Sequence, residues 1–189
     1  DWMVCKKKLP QGVEGLIESS KKFGIKFGIW IEPEMTNSKS ELYEKHPDWI
    51  LRQEEREPVM GRGGTQLMLD MTNPEVQEHV FKVVDDLMQA NPEIYYMKWD
   101  ANFSIANAAS LYLPKKKQSH LYIEYHRGLI KTLERIRAKY PNLVIQLCAS
   151  GGGRFDCGML YYSPQCWASD NTDPIERAGI QYGTSFCYP

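Results

Sequence analysis

IYYMKWD at residues 94–100 is an apolar, strand-like run that ends on an aspartate, and CWASD at residues 166–170 is a second. A carboxylate at the C-terminal tip of a buried parallel strand lies at the active-site mouth of a β/α barrel. We therefore expect Asp100 and Asp170 to face one cleft. Two carboxylates in one cleft are the minimum equipment for hydrolysis of a glycosidic bond, so the pair indicates a sugar-cleaving enzyme.

Strand and helix signals alternate along the rest of the chain, which indicates parallel βαβ units. Five segments are predicted to be strands: 25–31, 67–69, 94–99, 143–147 and 165–169. Helical spacing and capping residues predict five helices: 12–23, 40–45, 74–90, 118–140 and a final one that starts at Asp173-Pro174. Thr72 or Asn73 is predicted to cap the helix that begins at Pro74. The helix at 118–140 is predicted to face the core with five residues: Leu121, Tyr125, Leu129, Leu133 and Ile136.

The count of about five βα units limits the architecture. A closed (β/α)8 barrel has eight strands and about 250 residues, whereas this chain has 189 residues. Two folds remain open: a doubly wound sheet of five strands, or an incomplete (β/α)8 TIM-type barrel. In both, residues 1–189 form one partial catalytic domain without a second domain, and the functional residues lie at strand C-termini.

Composition excludes several function classes. The net charge of −1 gives no footprint for nucleic acid, and no apolar stretch reaches the roughly 20 residues that span a bilayer. The histidines and the five cysteines show no metal-ligand spacing, so neither a metal site nor a cofactor is predicted. An odd, scattered set of cysteines favours free thiols and a reducing compartment such as the cytoplasm.

Asp100 shares one side of its strand with Lys98, because side chains alternate along a strand. An ammonium beside a carboxylate lowers the pKa of the carboxyl group and keeps it ionised, which is what a nucleophile requires. The alternatives are that Asp100 caps the next loop and that Lys98 forms a plain ion pair.

Asp170 follows Trp167 in an aromatic, partly apolar setting. Desolvation raises the pKa of a carboxyl group and favours the protonated acid, so Asp170 suits the acid/base role. Asp173 competes for that role, but its place directly before Pro174 is typical of a helix N-cap.

Three further features lie near predicted strand ends. Trp30 either stacks on a sugar ring or lies at the edge of the core, and Glu32 and Glu34 either bind hydroxyls or anchor loops. The loop at residues 148–154 contains three glycines but lacks the spacing of a phosphate-binding loop, so nucleotide binding is discounted. These glycines would instead let the backbone approach a sugar.

Six stretches together resemble glycoside hydrolase family 36, the retaining α-galactosidases. They cover nearly the whole chain in the family's order: GIKFGIWIEPEM (24–35), LYEKHPDWIL (42–51), TQLMLDMTNPEVQ (65–77), YYMKWDAN (95–102), LCASGGGRFD (147–156) and WASDNTDPIERAGIQ (167–181). The combination of KWDxN and SDNTDP, about seventy residues apart, is highly specific.

The resemblance implies hydrolysis of terminal α-galactosides such as raffinose-type oligosaccharides, with Asp100 as the nucleophile and Asp170 as the acid/base. It implies a (β/α)8 barrel, usually within a homo-oligomer. It also implies a galactose pocket that is lined by Trp30, Lys98, Asn102, Cys148, Gly151 and Trp167.

The chain departs from the family pattern at three places. Phe103 follows KWDxN where the family usually has arginine, and RGGTQ at 62–66 replaces the frequent Arg-Asn-Gln. The family's acidic pair that grips the galactose hydroxyls lies on a strand that would precede Asp1. We therefore expect the isolated chain to have little or no activity.

Two alternatives to α-galactosidase activity stay open. One is another α-glycosidase of the same clan, which acts on α-glucosides or α-N-acetylgalactosaminides. The other is an inert, sugar-binding section of a barrel.

Overall fold

The computed structural model describes residues 2–187. These residues contain six strands: β1 (Phe27–Ile31), β2 (Met35–Asn37), β3 (Gln66–Met68), β4 (Ile94–Trp99), β5 (Val144–Leu147) and β6 (Gln165–Cys166). They also contain six α-helices: α1 (Gly12–Lys21), α2 (Glu41–Lys45), α3 (Pro74–Ala90), α4 (Leu121–Lys139), α5 (Cys157–Tyr162) and α6 (Pro174–Ser185). Short 3₁₀ helices lie at Pro47–Trp49 and Lys115–His120.

The main sheet is parallel, and its strand order is β1-β4-β5-β6. Trp99 at the end of β4 pairs with Ile31 on β1 and with Leu147 on β5. Doubly wound sheets reverse their strand order at a switch point, whereas this order follows the chain in one direction, as the barrel prediction requires. The residues that follow β1, β4, β5 and β6 therefore lie along one edge of the sheet.

The strand predicted at 67–69 exists, but it does not join the parallel sheet. β3 pairs antiparallel with β2, with Met68 opposite Met35, and the two form a separate sheet. β1 then pairs directly with β4, so the main sheet has four parallel strands and the expectation of five is wrong. All three β3 residues are buried. A buried apolar run predicts a core strand, but it does not identify the pairing partner.

Helices α3 and α4 pack against each other beside the sheet. The side chain of Asn73 accepts a hydrogen bond from the Glu75 amide, so α3 begins at Pro74 as predicted. Gly128 on α4 permits close packing, because a Cβ there would lie 1.9 Å from the carbonyl oxygen of Met71. The predicted inward face of α4 is confirmed, since all five of its residues are buried: Leu121, Tyr125, Leu129, Leu133 and Ile136.

Helix α6 differs from α4 because none of its described residues is buried. It begins at Pro174, and the Asp173 carboxylate accepts hydrogen bonds from the amides of Ile175 and Glu176, which confirms the predicted N-cap. Ile175 is 82% exposed and Phe186, just after the helix, is 72% exposed. No helix in residues 2–187 has the length and apolar composition needed to cross a membrane.

Candidate active site

Asp100 follows β4 directly and is only 5% exposed. Its amide donates to the Ile31 carbonyl oxygen at 2.9 Å, and its Oδ2 accepts a hydrogen bond from Trp30 Nε1 at 2.9 Å. Burial raises the pKa of the Asp100 carboxyl, but hydrogen bonds from Trp30, Asn102 and Cys148 lower it, and the net pKa lies below the ordinary aspartate value. The structure therefore keeps this buried carboxylate ionised.

Lys98 is not the cause of that lowered pKa, and this part of the sequence prediction is wrong. Within residues 2–187, no ion pair joins Lys98 to Asp100. The Lys98 Nζ lies 4.9 Å from the centroid of the Trp167 ring. Uncharged donors, and not a cation, lower the pKa of Asp100, because N–H and S–H groups that point at a carboxylate also favour its charged form.

Cys148 is the donor on the β5 side of Asp100. It is 1% exposed, and its amide donates to the Trp99 carbonyl oxygen at 2.8 Å. Burial raises the pKa of the Cys148 thiol to about 11, and the neighbouring Asp100 carboxylate contributes to that shift. The thiol therefore remains protonated at neutral pH and donates to Asp100.

Asn102 is held by two other loops. Its amide donates to Glu32 Oε1 at 2.8 Å, and its Oδ1 accepts from the Ser150 amide at 2.9 Å. Its Nδ2 is buried and has no hydrogen bond of ordinary geometry within the described residues. The side-chain amide nevertheless lies close enough to Asp100 to lower the pKa of that carboxyl. Asn102 therefore links the surroundings of Asp100 to the loops that bear Glu32 and Ser150.

Gly151 lies between the loops after β5 and β6. Its φ of +90° is in the left-handed region, and a Cβ there would lie 2.9 Å from the Ala168 carbonyl oxygen. Glycine is therefore required both for the backbone conformation and for the close approach. This approach places the glycine loop against the loop that bears Asp170.

Asp170 is exposed, so the desolvated setting predicted for it is contradicted. Its Oδ1 accepts a hydrogen bond from Trp167 Nε1 at 2.7 Å. Trp167 is the first residue after β6 and is half-buried. Its backbone amide donates to the Leu147 carbonyl oxygen at 2.9 Å. The aromatic neighbour of Asp170 thus supplies a polar contact and does not cover the carboxylate.

Of the alternatives for Trp30 and Glu32, the structure excludes a core position for Trp30 and bears out the loop-anchoring role of Glu32. Trp30 is 43% exposed, so it is not a core residue, and its indole nitrogen is already bound to Asp100. Glu32 is buried and anchors loops, because its Oε2 accepts from Gln66 and its Oε1 from the Asn102 amide.

Glu34 forms the second buried polar centre of the site, and it has no exposed surface. Arg154 binds both of its oxygens, at 2.5 and 2.8 Å, and further hydrogen bonds come from Trp99 Nε1 at 2.8 Å and Tyr125 OH at 2.6 Å. Burial raises the pKa of Glu34, but the Arg154 charge and these hydrogen bonds lower it below the ordinary value. The carboxylate ties the glycine loop to β4 and α4.

The sequence did not indicate the partners of this centre, since Tyr125 was predicted only as a core residue. A signal was available, because a buried tyrosine hydroxyl requires a hydrogen-bond partner. Phe103 also has a structural role: its ring packs so closely on Gly61 that a Cβ on Gly61 would lie 2.4 Å from it. An aromatic side chain therefore holds the loop after Asp100 to the turn that contains Arg62.

A cavity of about 320 Å³ opens beside these loops. Asn102, Ser150 and Arg154 line it together with Tyr125, but neither Asp100 nor Asp170 does. No group of three histidine, cysteine or carboxylate side chains within the described residues could hold a metal ion.

Two carboxylates with opposite surroundings thus lie after β4 and β6, along the edge where the glycine loop follows β5. One is buried, hydrogen-bonded and ionised, and the other is exposed and held by one indole. A low-pKa carboxylate suits attack on an electrophilic carbon, and an accessible one suits proton exchange with substrate and water.

Comparison with known proteins gives concordant results. A family model described as Melibiase matches residues 1–189. Alpha-galactosidase AgaA of Geobacillus stearothermophilus is 42% identical over 189 residues, which are 100% of this chain and 26% of that protein. The chain thus spans about a quarter of the length of the curated relatives that it matches.

Solved structures extend the likeness to three dimensions. The crystal structure of the alpha-galactosidase from Lactobacillus brevis is 42% identical, with a TM-score of 0.94 over 100% of this chain and 25% of that one. A variant of AgaA bound to raffinose is 41% identical, with a TM-score of 0.93 over 100% of this chain and 26% of its own. The expected incomplete barrel of the glycoside hydrolase family 36 type is thereby confirmed as the fold class, and the chain belongs to the Melibiase family.

Proposed function

We propose that this chain carries both catalytic carboxylates of a retaining α-galactosidase. The observation that carries the proposal is Asp100, which is buried at a strand tip and yet has a lowered pKa. Such a group is ionised and oriented at neutral pH, as a nucleophile must be. Asp170, on an exposed loop two strands further along the sheet, supplies the acid/base.

The reaction proceeds in two displacements. Asp100 attacks the anomeric carbon while the glycosidic C–O bond breaks, and the Asp170 carboxyl gives its proton to the leaving oxygen. The Asp170 carboxylate then removes a proton from water, and that water attacks the anomeric carbon and releases Asp100. Two inversions leave galactose in its original α configuration.

Positions around Asp100 supply the sugar contacts. The Asn102 side chain beside Asp100 and the Lys98 ammonium beside Trp167 are assigned to bind sugar hydroxyls. Gly151 lets the loop backbone approach the ring, and the exposed faces of Trp30 and Trp167 offer stacking surfaces. Cys148 and the Trp30 indole nitrogen hold the nucleophile itself.

We propose terminal α-linked galactose on oligosaccharides as the substrate class, because the AgaA variants were crystallised with raffinose and stachyose. We further propose that the natural protein is a homo-oligomer, as the family resemblance implies. No nucleic acid or membrane partner is proposed.

The test uses the natural polypeptide that contains these residues. It should hydrolyse p-nitrophenyl α-galactoside much faster than the α-glucoside, and proton NMR should detect α-galactose as the first product. Faster turnover of the glucoside would overturn the substrate assignment. Initial release of β-galactose would overturn the role of Asp100 as nucleophile.

A further inference from the structure

Arg177 on α6 contacts the loop that bears Asp170 at two points. Its Nη1 donates to the Ser169 carbonyl oxygen at 2.9 Å, and its Cζ lies 5.4 Å from the centroid of the Trp167 ring. The side chain is half-buried by these contacts. A planar guanidinium can hydrogen-bond through its edge and lie against an aromatic ring through its face at the same time, which an ammonium cannot do.

These contacts fall on the two residues that determine where the Asp170 carboxylate lies. Ser169 precedes Asp170 in the chain, and Trp167 donates its indole N–H to Asp170 Oδ1 at 2.7 Å. Arg177 therefore acts on both the backbone and the hydrogen-bond partner of Asp170 without touching the carboxylate in the described structure.

The other side-chain hydrogen bonds of this loop are local within the described residues. The Asn171 amide donates to Ser169 Oγ, and the Asp173 amide donates to Asn171 Oδ1. Such turns shape the loop but do not attach it to a neighbouring element. The hydrogen bonds that attach the loop to other elements are those of the Trp167 amide with Leu147 on β5 and of Arg177 on α6 with Ser169. Lys98 on β4 also lies over the Trp167 ring, but Arg177 alone contacts both the ring and the backbone next to Asp170 in the described structure.

We propose that Arg177 is a positioning residue for the acid/base carboxylate of Asp170. This inference rests on the proposed function and adds to it a residue on a helix that makes no substrate contact in that proposal. Proton transfer requires the acid to lie within hydrogen-bond reach of the leaving oxygen, and an exposed aspartate on a loop meets this condition only when the loop is held.

The readout that separates positioning from general stability is the dependence on the leaving group. p-Nitrophenolate departs with little protonation, whereas the sugar leaving group of raffinose needs the acid. A displacement of about 1 Å can cost on the order of 10²-fold in rate. Arg177→Met should therefore lower kcat/KM on raffinose by about 10- to 100-fold, and kcat/KM on p-nitrophenyl α-galactoside by less than about 3-fold.

The experiment compares four variants of the natural polypeptide on both substrates. Arg177→Met removes the fork, and Arg177→Lys retains one donor and should lose less activity on raffinose. Arg127→Met is the matched control, because Arg127 is exposed on α4 and bonds only with Glu124 in the described structure. Asp170→Ala reports whether the acid role itself is correct.

Equal losses on both substrates, or no loss on raffinose, would overturn the role of Arg177 if Asp170→Ala still discriminates between the substrates. If Asp170→Ala does not discriminate, the acid/base assignment fails first, and the role of Arg177 fails with it. If Arg177→Met does not fold, Arg177→Lys decides the question through the ratio of kcat/KM on raffinose to kcat/KM on p-nitrophenyl α-galactoside. A ratio equal to that of the unsubstituted protein contradicts the inference.

Discussion

Asp100 is 5% exposed and receives hydrogen bonds from residues on β1, after β4 and after β5, whereas Asp170 is exposed on a loop and receives one from Trp167. The Asp100 carboxylate directly follows a strand of the sheet. The Asp170 carboxylate lies on a loop that is held through the Trp167 indole and helix α6. Rigid support suits a nucleophile that must stay ionised and aligned, and an open position suits a group that exchanges protons with water. The two halves of the site therefore differ in how much of the described protein surrounds each carboxylate.

The largest expected effect is the loss of the buried carboxylate. Asp100→Ala should lower kcat by about 10⁴-fold or more, because covalent catalysis has no substitute when its nucleophile is removed. Added azide should restore turnover of an activated aryl galactoside and give the β-galactosyl azide, since a single displacement inverts the anomeric carbon. Formation of the α-azide would assign Asp100 to the wrong half of the mechanism.

The next effect concerns the exposed carboxylate and depends on the substrate. General acid catalysis contributes about 10²- to 10⁴-fold, so Asp170→Ala should lose roughly that factor on raffinose. Turnover of p-nitrophenyl α-galactoside should fall much less in the glycosylation step. Steady-state kinetics measure the loss of activity on raffinose and on p-nitrophenyl α-galactoside. Equal losses on the two substrates would remove the functional contrast with Asp100.

A smaller effect tests the cause of the lowered Asp100 pKa. Trp30→Phe removes a donor that stabilises the carboxylate, so the pKa of Asp100 should rise and the acid limb of kcat/KM should move to higher pH by up to about one unit. The pKa of Asp100 is lower in the folded protein than in the unfolded chain, where it is about 3.9. Ionised Asp100 therefore stabilises the fold above the unfolded pKa, and this stability is lost as the pH falls through the folded pKa.

The pH profile of kcat/KM measures the shift in that experiment. Tyr95→Phe is the control, because Tyr95 is an exposed aromatic residue of β4 whose ring contacts the Lys26 ammonium and not Asp100. A movement of the acid limb to lower pH in Trp30→Phe would show that the indole does not favour the charged form.

The smallest effect concerns the helix that supports the Asp170 loop. Asp173→Ala removes the N-cap of α6 and should cost about 1 kcal/mol in the free energy of unfolding. Asp173→Asn keeps an oxygen acceptor at the cap and should cost only a small part of that. Chemical denaturation distinguishes the two variants, and equal losses would mean that the carboxylate has a role beyond the cap.

The sequence was most informative where local chemistry is self-sufficient. The α6 cap at Asp173 and the β4 strand occur where they were predicted, and Asn73 is the one of the two predicted α3 caps, Thr72 and Asn73, that the structure uses. These features depend on neighbouring residues and on side-chain periodicity, which a single sequence contains. The α/β class and the place of Asp100 at a strand end follow from the same signals. The strand predicted at 165–169 is shorter, because β6 ends at Cys166 and Asp170 lies on the loop four residues further on.

Those signals could not predict contacts between residues that are far apart in the sequence. The antiparallel partner of β3, the donors around Asp100 and the three side-chain partners of Glu34 come from distant elements. A hydrophobic or charged residue shows that it needs a partner, but it does not show which one. Lys98 was thus assigned to Asp100 by proximity in sequence, whereas the structure places its ammonium over Trp167.

By itself, the sequence determined that Asp100 ends an apolar strand, that Asp170 follows a second apolar run and that strands alternate with helices. Burial and capping could be predicted because they depend on the order of neighbouring residues. Only the tertiary structure decided that one of these carboxylates is enclosed and the other open. That difference depends on what packs around each carboxylate within the described residues: β1 and β5 lie on either side of Asp100, whereas the described contacts of the Asp170 loop come from Trp167 and α6. Burial between two strands removes water and requires every polar atom to find a partner, and those partners come from elements distant in the sequence.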